Sequence, residues 1–198
     1  KEYHFLLCMH TQQYIKANSI FENVSKNPTF DSYPAANIEK WRIFEAYLEY
    51  AKPSDGAGEK RRFNVSKFLN EVPVFSKDKS GYNMSIIIAQ ILLSVKMQDW
   101  SRVIDRAEPL KTYLSRYVKK DRNPRSYYFL KLLEVMVRYE FHPEKTEQIG
   151  EKFFQKLQQS GASVPESSEI IPYEWLWKDL LAQLKGHPSH MNSKGVLA

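Results

Sequence analysis

The feature that most constrains the fold is the contrast between two consecutive segments of the chain. From about residue 82 to residue 97, apolar side chains surround the helix that their spacing predicts, so this helix is expected to be buried between neighbours. The next segment carries its apolar side chains on one face only, at Trp100, Val103, Ile104, Ala107, Leu110, Leu114 and Tyr117. A helix buried on two sides followed by a one-sided helix is the pattern that stacked antiparallel helix pairs require.

The same arrangement recurs about 43 residues further on. Asn123-Pro124 resembles a helix cap followed by proline at the first helical position, and a broadly apolar segment follows it. Pro143 begins its partner helix, which runs to Gly161. Pro172 precedes a last amphipathic helix over residues 173–186. The sequence therefore predicts two long helix pairs capped by a final helix.

The first part of the chain predicts a further, less regular hairpin. Apolar residues recur at helical spacing over residues 2–26 and again over residues 35–51, and a short helix is expected from residue 65 to the proline at 73. Residues 52–62 carry the clearest cluster of helix breakers and are expected to form a solvated loop. With 198 residues, we expect one helical domain over 1–186 and a frayed tail over 187–198.

One turn of the second half resembles a known repeat family. In the run from Lys96 to Ile104, a short polar turn precedes the aromatic Trp100 and the aliphatic packing position Val103. This looks like the turn between the two helices of a tetratricopeptide-type repeat. The resemblance implies an all-α fold in which antiparallel helix hairpins stack as a short solenoid. It also implies a concave groove of the kind that such proteins use to hold peptide or protein partners.

Composition indicates the cellular compartment in which the chain is expected. Cys8 is the only cysteine, so no internal disulfide can form and a reducing compartment, the cytoplasm, is expected. No run approaches about 18 consecutive apolar residues, so no membrane span is expected. The chain opens on Lys1-Glu2-Tyr3 inside a helical pattern, which suggests a piece of a longer polypeptide. The net charge of +6 is too small to indicate a partner by itself.

No pattern in the sequence indicates catalysis. Phosphate-binding glycine loops, nucleophile elbows and paired-histidine zinc motifs are all missing from the sequence. His4 and His10 are six residues apart, a spacing that does not place two metal ligands on one helix face. We therefore expect a binding protein that is not an enzyme and that needs no cofactor or metal.

The candidate partner-binding residues are polar positions on the two broadly apolar helices. A helix that is buried on two sides has little reason to keep polar groups unless they face a third surface. The residues that meet this description are Asn83, Gln90 and Lys96 on the first helix and Tyr127, Lys131 and Arg138 on the second. We expect them to line a surface that holds a peptide or protein partner.

A cluster of basic residues offers an alternative function. Five cations surround the turn between the helices that end near residue 117 and begin at residue 124: Arg116, Lys119, Lys120, Arg122 and Arg125. They would suit phosphate contacts in a nucleic-acid-binding helical domain. They also suit a solvated turn with favourable charge at a helix C-terminus. The run Lys60-Arg61-Arg62 has the same two interpretations.

Overall fold

The computed structural model describes residues 1–52, 63–70, 82–161 and 168–186. The chain divides into two compact units, Lys1–Leu93 and Ser94–Ala198. The described residues are helical, with α-helices and one short 3-10 segment and no strand among them, which confirms the predicted all-α class. The breaker loop beyond Lys52, with its run of three cations, and the predicted tail lie outside the described residues.

The first unit is built around three helices that pack in sequence. α1 (Glu2–His10) contacts α2 (Tyr14–Ser25), and α2 contacts α3 (Ala35–Ala51) after a 3-10 turn at Phe30–Ser32. The ring of Phe5 stacks on that of Phe44, with 4.6 Å between centroids. α4 (Val65–Asn70) is short, and α5 (Tyr82–Lys96) begins in this unit. The predicted bounds of α3 are confirmed, because one apolar face runs through its whole length.

The second unit contains α6 (Trp100–Tyr117), α7 (Pro124–Arg138), α8 (Pro143–Gln159) and α9 (Tyr173–Gly186). α7 is its central helix and packs against α6, α8 and α9. The predicted caps are confirmed in part. The Asp99 side chain accepts a hydrogen bond from the backbone N–H of Arg102 at 3.2 Å, whereas the Asn123 side chain makes no capping bond before Pro124.

Three helix-to-helix turns share a backbone hydrogen bond and a left-handed residue, and the third turn has a second left-handed residue, Phe141, with a φ of 61°. In each, an N–H bonds back to a carbonyl five residues earlier: Gln13 to Cys8, Asp99 to Ser94, and Phe141 to Met136. The residue before each donor has a positive φ, of 57° at Gln12, 58° at Gln98 and 52° at Glu140. This left-handed residue closes the helix as glycine often does at a helix C-terminus. The single helix predicted over residues 2–26 is therefore wrong, because the turn at Gln12 divides it.

Most of the predicted apolar faces are buried as expected. On α9 the six predicted core residues, Tyr173, Leu176, Trp177, Leu180, Leu181 and Leu184, are all buried. α6 differs, because Ile104 and Tyr117 belong to its predicted apolar face but are 53% and 65% exposed. Both lie at the edge of a face whose centre, Val103 and Leu110, is buried. None of the helices in the described ranges combines the length and apolar character needed to cross a membrane.

α8 and α9 are in close contact at a glycine of α8. A Cβ placed on Gly150 of α8 would lie 2.8 Å from Cζ2 of Trp177 on α9 and 3.3 Å from Cδ2 of Leu132 on α7. Trp177 is buried and cannot swing away into solvent. The absence of a side chain at Gly150 therefore lets the indole lie against the α8 backbone, as close packing of a protein interior requires.

Candidate functional site

The central helix of the second unit, α7, is buried on every side but one. Nine of its fifteen residues are buried, from Arg125 to Met136. Four of the others lie at positions 127, 131, 134 and 138, a spacing that places them on one face of the helix. We call Tyr127, Lys131, Glu134 and Arg138 the α7 strip. Three of these four residues were predicted as partner-binding positions from sequence.

The α7 strip is held together by charge. The Glu134 carboxylate lies 2.7 Å from Nζ of Lys131 and 2.6 Å from a guanidinium nitrogen of Arg138, so it accepts from both cations. The Lys131 ammonium also lies 6.0 Å from the centroid of the Tyr127 ring, at the limit for a cation–π contact. These contacts fix the four side chains in one row. The row carries one carboxylate and two cations and therefore has a net positive charge.

We use the name basic turn for four cations at the end of α6 and in the link to α7: Arg116, Lys119, Lys120 and Arg122. All four side chains are exposed. An aromatic pair connects the turn to the α7 strip. Lys120 lies 5.9 Å from the centroid of the Tyr128 ring, and the rings of Tyr128 and Tyr127 meet edge to face with centroids 5.4 Å apart. The two candidate surfaces predicted separately from sequence are therefore adjacent.

Arg125, the fifth cation of the predicted cluster, does not belong to this surface. It is buried, and its guanidinium donates to both oxygens of Glu169 and both oxygens of Glu174, at distances of 2.5 to 2.9 Å. Glu169 is itself only 3% exposed. Every guanidinium nitrogen thus has a carboxylate partner, and none is left to contact a phosphate. The predicted phosphate contact at Arg125 is replaced by a buried structural ion cluster.

Ser126, the residue after Arg125, belongs to a cluster of three buried hydroxyl groups. The side-chain oxygens of Ser126, Ser168 and Tyr173 lie 3.1 to 3.2 Å from one another, and all three are buried. The backbone N–H of Tyr173 donates to Glu169 at 3.1 Å. The four residues before Pro172, Ser168 to Ile171, are buried, and Ser168 is joined to α7 through these hydrogen bonds.

The ion cluster shifts the pKa values of Arg125 and Glu174. Hydrogen bonding to Glu169 raises the pKa of Arg125 well above its ordinary value against the opposing effect of burial, and Glu174 adds to the rise. For Glu174, burial alone would raise the pKa, but the hydrogen bond from Arg125 and a backbone N–H together lower it below the usual range. The Arg125–Glu174 pair is therefore held in its charged form.

This shift predicts an acid-sensitive contribution to stability. Because the pKa of Glu174 is lower in the folded chain, its contribution is complete above the ordinary value of 4.5 and is lost as pH falls through the folded value. Between about pH 5 and pH 3, unfolding free energy should fall more steeply for the wild type than for Glu174→Gln. Urea denaturation at a series of pH values measures both slopes. Asp179→Asn, which removes an exposed carboxylate from the same helix, should keep the wild-type slope, and parallel curves for wild type and Glu174→Gln would contradict the assignment.

The three candidate residues on α5 differ in their surroundings. Gln90 is 1% exposed, and its amide donates to the backbone carbonyl of Phe68 at 3.3 Å. It satisfies a core position of the first unit and offers no surface to a partner, so we leave it out of the proposed surface. Asn83 and Lys96 are half-buried, and each makes polar contacts of its own.

Within the described ranges, no group of three or more His, Cys, Asp or Glu side chains is placed to hold a metal ion. Comparison of the chain with protein-family models, with curated proteins and with solved structures found no match.

Proposed function

We propose that this chain is a helical-repeat scaffold, of the tetratricopeptide-like solenoid kind, that holds a peptide or protein partner against the α7 strip. The observation that carries the proposal is the composition of α7. A helix that buries nine residues, among them Phe129, Leu132 and Met136, keeps one row of polar side chains at half-exposed or exposed positions. If the row served only to pack the helix, apolar residues would be expected there as an extension of the core. Its polar side chains therefore favour a binding role.

The chemistry of the row defines the partner it suits. Tyrosine and arginine are the residues that contribute most often to the energetic centre of protein interfaces. Tyr127 supplies a flat, half-exposed ring, and Arg138 supplies an exposed guanidinium whose position is fixed by Glu134. A peptide segment bearing a carboxylate and an apolar or aromatic side chain would complement both. The hydrogen bond and the left-handed residue that the three turns share support a repeated hairpin architecture for the scaffold.

The test is a quantitative affinity capture with matched variants. Lys131→Gln/Arg138→Gln removes both cations of the α7 strip but keeps donors for Glu134, so stability should change by less than about 0.5 kcal/mol. We expect this variant to retain about a tenth or less of the wild-type recovery of specific partners, as measured by mass spectrometry. Lys145→Gln/Lys156→Gln, which removes two exposed cations from α8, should recover them normally. Equal recovery by all three baits would remove the α7 strip from the proposal.

A further inference from the structure

We propose that the basic turn and the exposed ring of Tyr117 bind single-stranded nucleic acid. This proposal goes beyond the α7 strip and uses none of its residues. It depends on three observations: the exposure and isolation of the four cations, their position relative to the helix dipoles, and the aromatic surface beside them.

The four cations are available to an external anion. Arg116, Lys119, Lys120 and Arg122 are all exposed, and none forms an ion pair with a carboxylate in the part of the chain that the structure describes. Between residues 116 and 122 the only acidic residue is Asp121, which is also exposed. Other exposed cations of the unit, such as Lys145 and Lys152, also lack an ion pair among the described residues, but they are spread along their helix, whereas four cations lie within the seven residues from 116 to 122. The turn thus concentrates positive charge, which Asp121 offsets only in part.

Helix dipoles do not account for this concentration. A cation is favoured in the last turn of a helix, and Arg116 alone occupies the last turn of α6. Lys119, Lys120 and Arg122 lie beyond that helix and immediately before α7, whose N-terminus carries partial positive charge and has no acidic residue in its first turn. The carboxylates that reach the first turn of α7, Glu169 and Glu174, are both bound by Arg125. An anionic ligand at the turn would therefore be favoured both by the three cations and by the positive end of α7.

Aromatic rings border the cations. Tyr117 is 65% exposed, and its ring lies 5.1 Å from that of Tyr113, one helical turn earlier. On the other side of the turn, Lys120 lies over Tyr128. A large exposed ring supported by a second ring and flanked by cations is the combination that single-stranded nucleic acids use, in which bases stack on the ring and phosphates meet the cations. In a duplex the base faces are already stacked, and an acidic peptide has no repeated planar groups, so a single strand fits this surface best.

The binding experiment uses a fluorescein-labelled deoxythymidine 12-mer and the full chain, followed by anisotropy. If the four cations meet four phosphates, the association constant should fall about 50-fold between 50 and 200 mM salt, because counterions released from a single strand give a slope of about −0.7 per contact. Tyr117→Ala should weaken binding by about 5- to 100-fold, since one base–ring stack is lost, and Tyr117→Trp should restore it. Neither variant changes a buried side chain, and a dichroism spectrum will verify the fold.

The matched control removes the same number of exposed charges from α2, α3 and α8. Arg116→Ala/Lys119→Ala/Lys120→Ala/Arg122→Ala should abolish binding, whereas Lys16→Ala/Arg42→Ala/Lys145→Ala/Lys152→Ala should leave it within about twofold of the wild type at 150 mM salt, where salt screens exposed charges that do not contact the ligand. The proposal would be overturned if no complex forms at 50 mM salt, or if both quadruple variants lose binding equally. It would also be overturned if a duplex of the same length binds as tightly as the single strand and its binding does not change with Tyr117→Ala. Competition by polyglutamate as strong as that by the oligonucleotide would also overturn it and would assign the turn to an acidic protein. None of these results affects the test of the α7 strip, whose variants leave the basic turn intact.

Discussion

Arg125→Ala should lower the free energy of unfolding by about 3–5 kcal/mol, the range found when one member of a buried ion pair is removed. The reason lies in what the substitution leaves behind. Glu169 is buried and would lose the two hydrogen bonds that it accepts from the guanidinium. Glu174 would lose the two hydrogen bonds that it accepts from the guanidinium. Urea denaturation followed by far-ultraviolet dichroism measures the loss.

Two variants separate the cluster from a simple loss of charge. Arg122→Ala removes an exposed arginine three residues earlier and should change stability by less than about 0.5 kcal/mol. Arg125→Met/Glu169→Leu/Glu174→Met replaces the whole cluster with apolar groups of similar volume and should be much more stable than Arg125→Ala, because no buried charge is left unpaired. A loss below about 1 kcal/mol for Arg125→Ala would mean that the guanidinium does not compensate the buried carboxylates in solution.

Gly150→Val should destabilise the chain by about 3 kcal/mol, near the upper end of the range for overpacking a protein interior. The first added carbon would already lie 2.8 Å from the indole of Trp177, and the two further methyl groups would need space that Leu132 and Trp177 fill. Replacing a helical glycine normally stabilises a helix by up to about 1 kcal/mol. A destabilising effect of Gly150→Val would therefore come from the packing around Gly150. Thermal denaturation provides the measurement.

The control is a glycine in open space. Among the described residues, no atom beyond the chain neighbours of Gly161 lies within 4 Å of a Cβ placed there, so Gly161→Val should change stability by less than about 1 kcal/mol. A second comparison uses the partner side chain. Trp177→Leu leaves a cavity and is destabilising alone, but combined with Gly150→Val it should cost less than the sum of the two single changes. Additive losses, or a neutral Gly150→Val, would contradict the contact between α8 and α9.

Periodic apolar faces made the helices predictable from sequence. α3 and α9 carry continuous faces bounded by proline, glycine or polar residues, and both were predicted with their observed bounds. The division between α1 and α2 was missed because neither proline nor glycine marks it. Gln12 adopts a left-handed backbone conformation that nothing in the local sequence indicates. A hydrogen bond from the backbone N–H of Gln13 to the carbonyl of Cys8 stabilises the turn. Turn geometry of this kind depends on how the two helices pack, which local sequence does not specify.

The candidate site was predictable only where it depended on one helix. Lys131 and Arg138 were predicted because they interrupt the apolar faces of α7, and the structure places them in one row. Nothing in the local sequence distinguishes Arg125 from the four cations of the basic turn. Its burial depends on Glu169 and Glu174, which are 44 and 49 residues away along the chain, and no local pattern connects them. Gln90 was misassigned for a similar reason, since its partner is a backbone carbonyl on another helix.

The ion cluster sets a limit on how far this chain can be shortened. In a stack of interchangeable repeats, each hairpin depends on its immediate neighbours, and terminal pieces can be removed one at a time. Here the first turn of α7 depends on carboxylates that follow α8, so a fragment ending before Ser168 would retain the guanidinium without its counter-charges. We therefore expect the hairpin of α7 and α8 to be gained or lost together with α9 in evolution. We also expect these three helices to unfold as one cooperative unit.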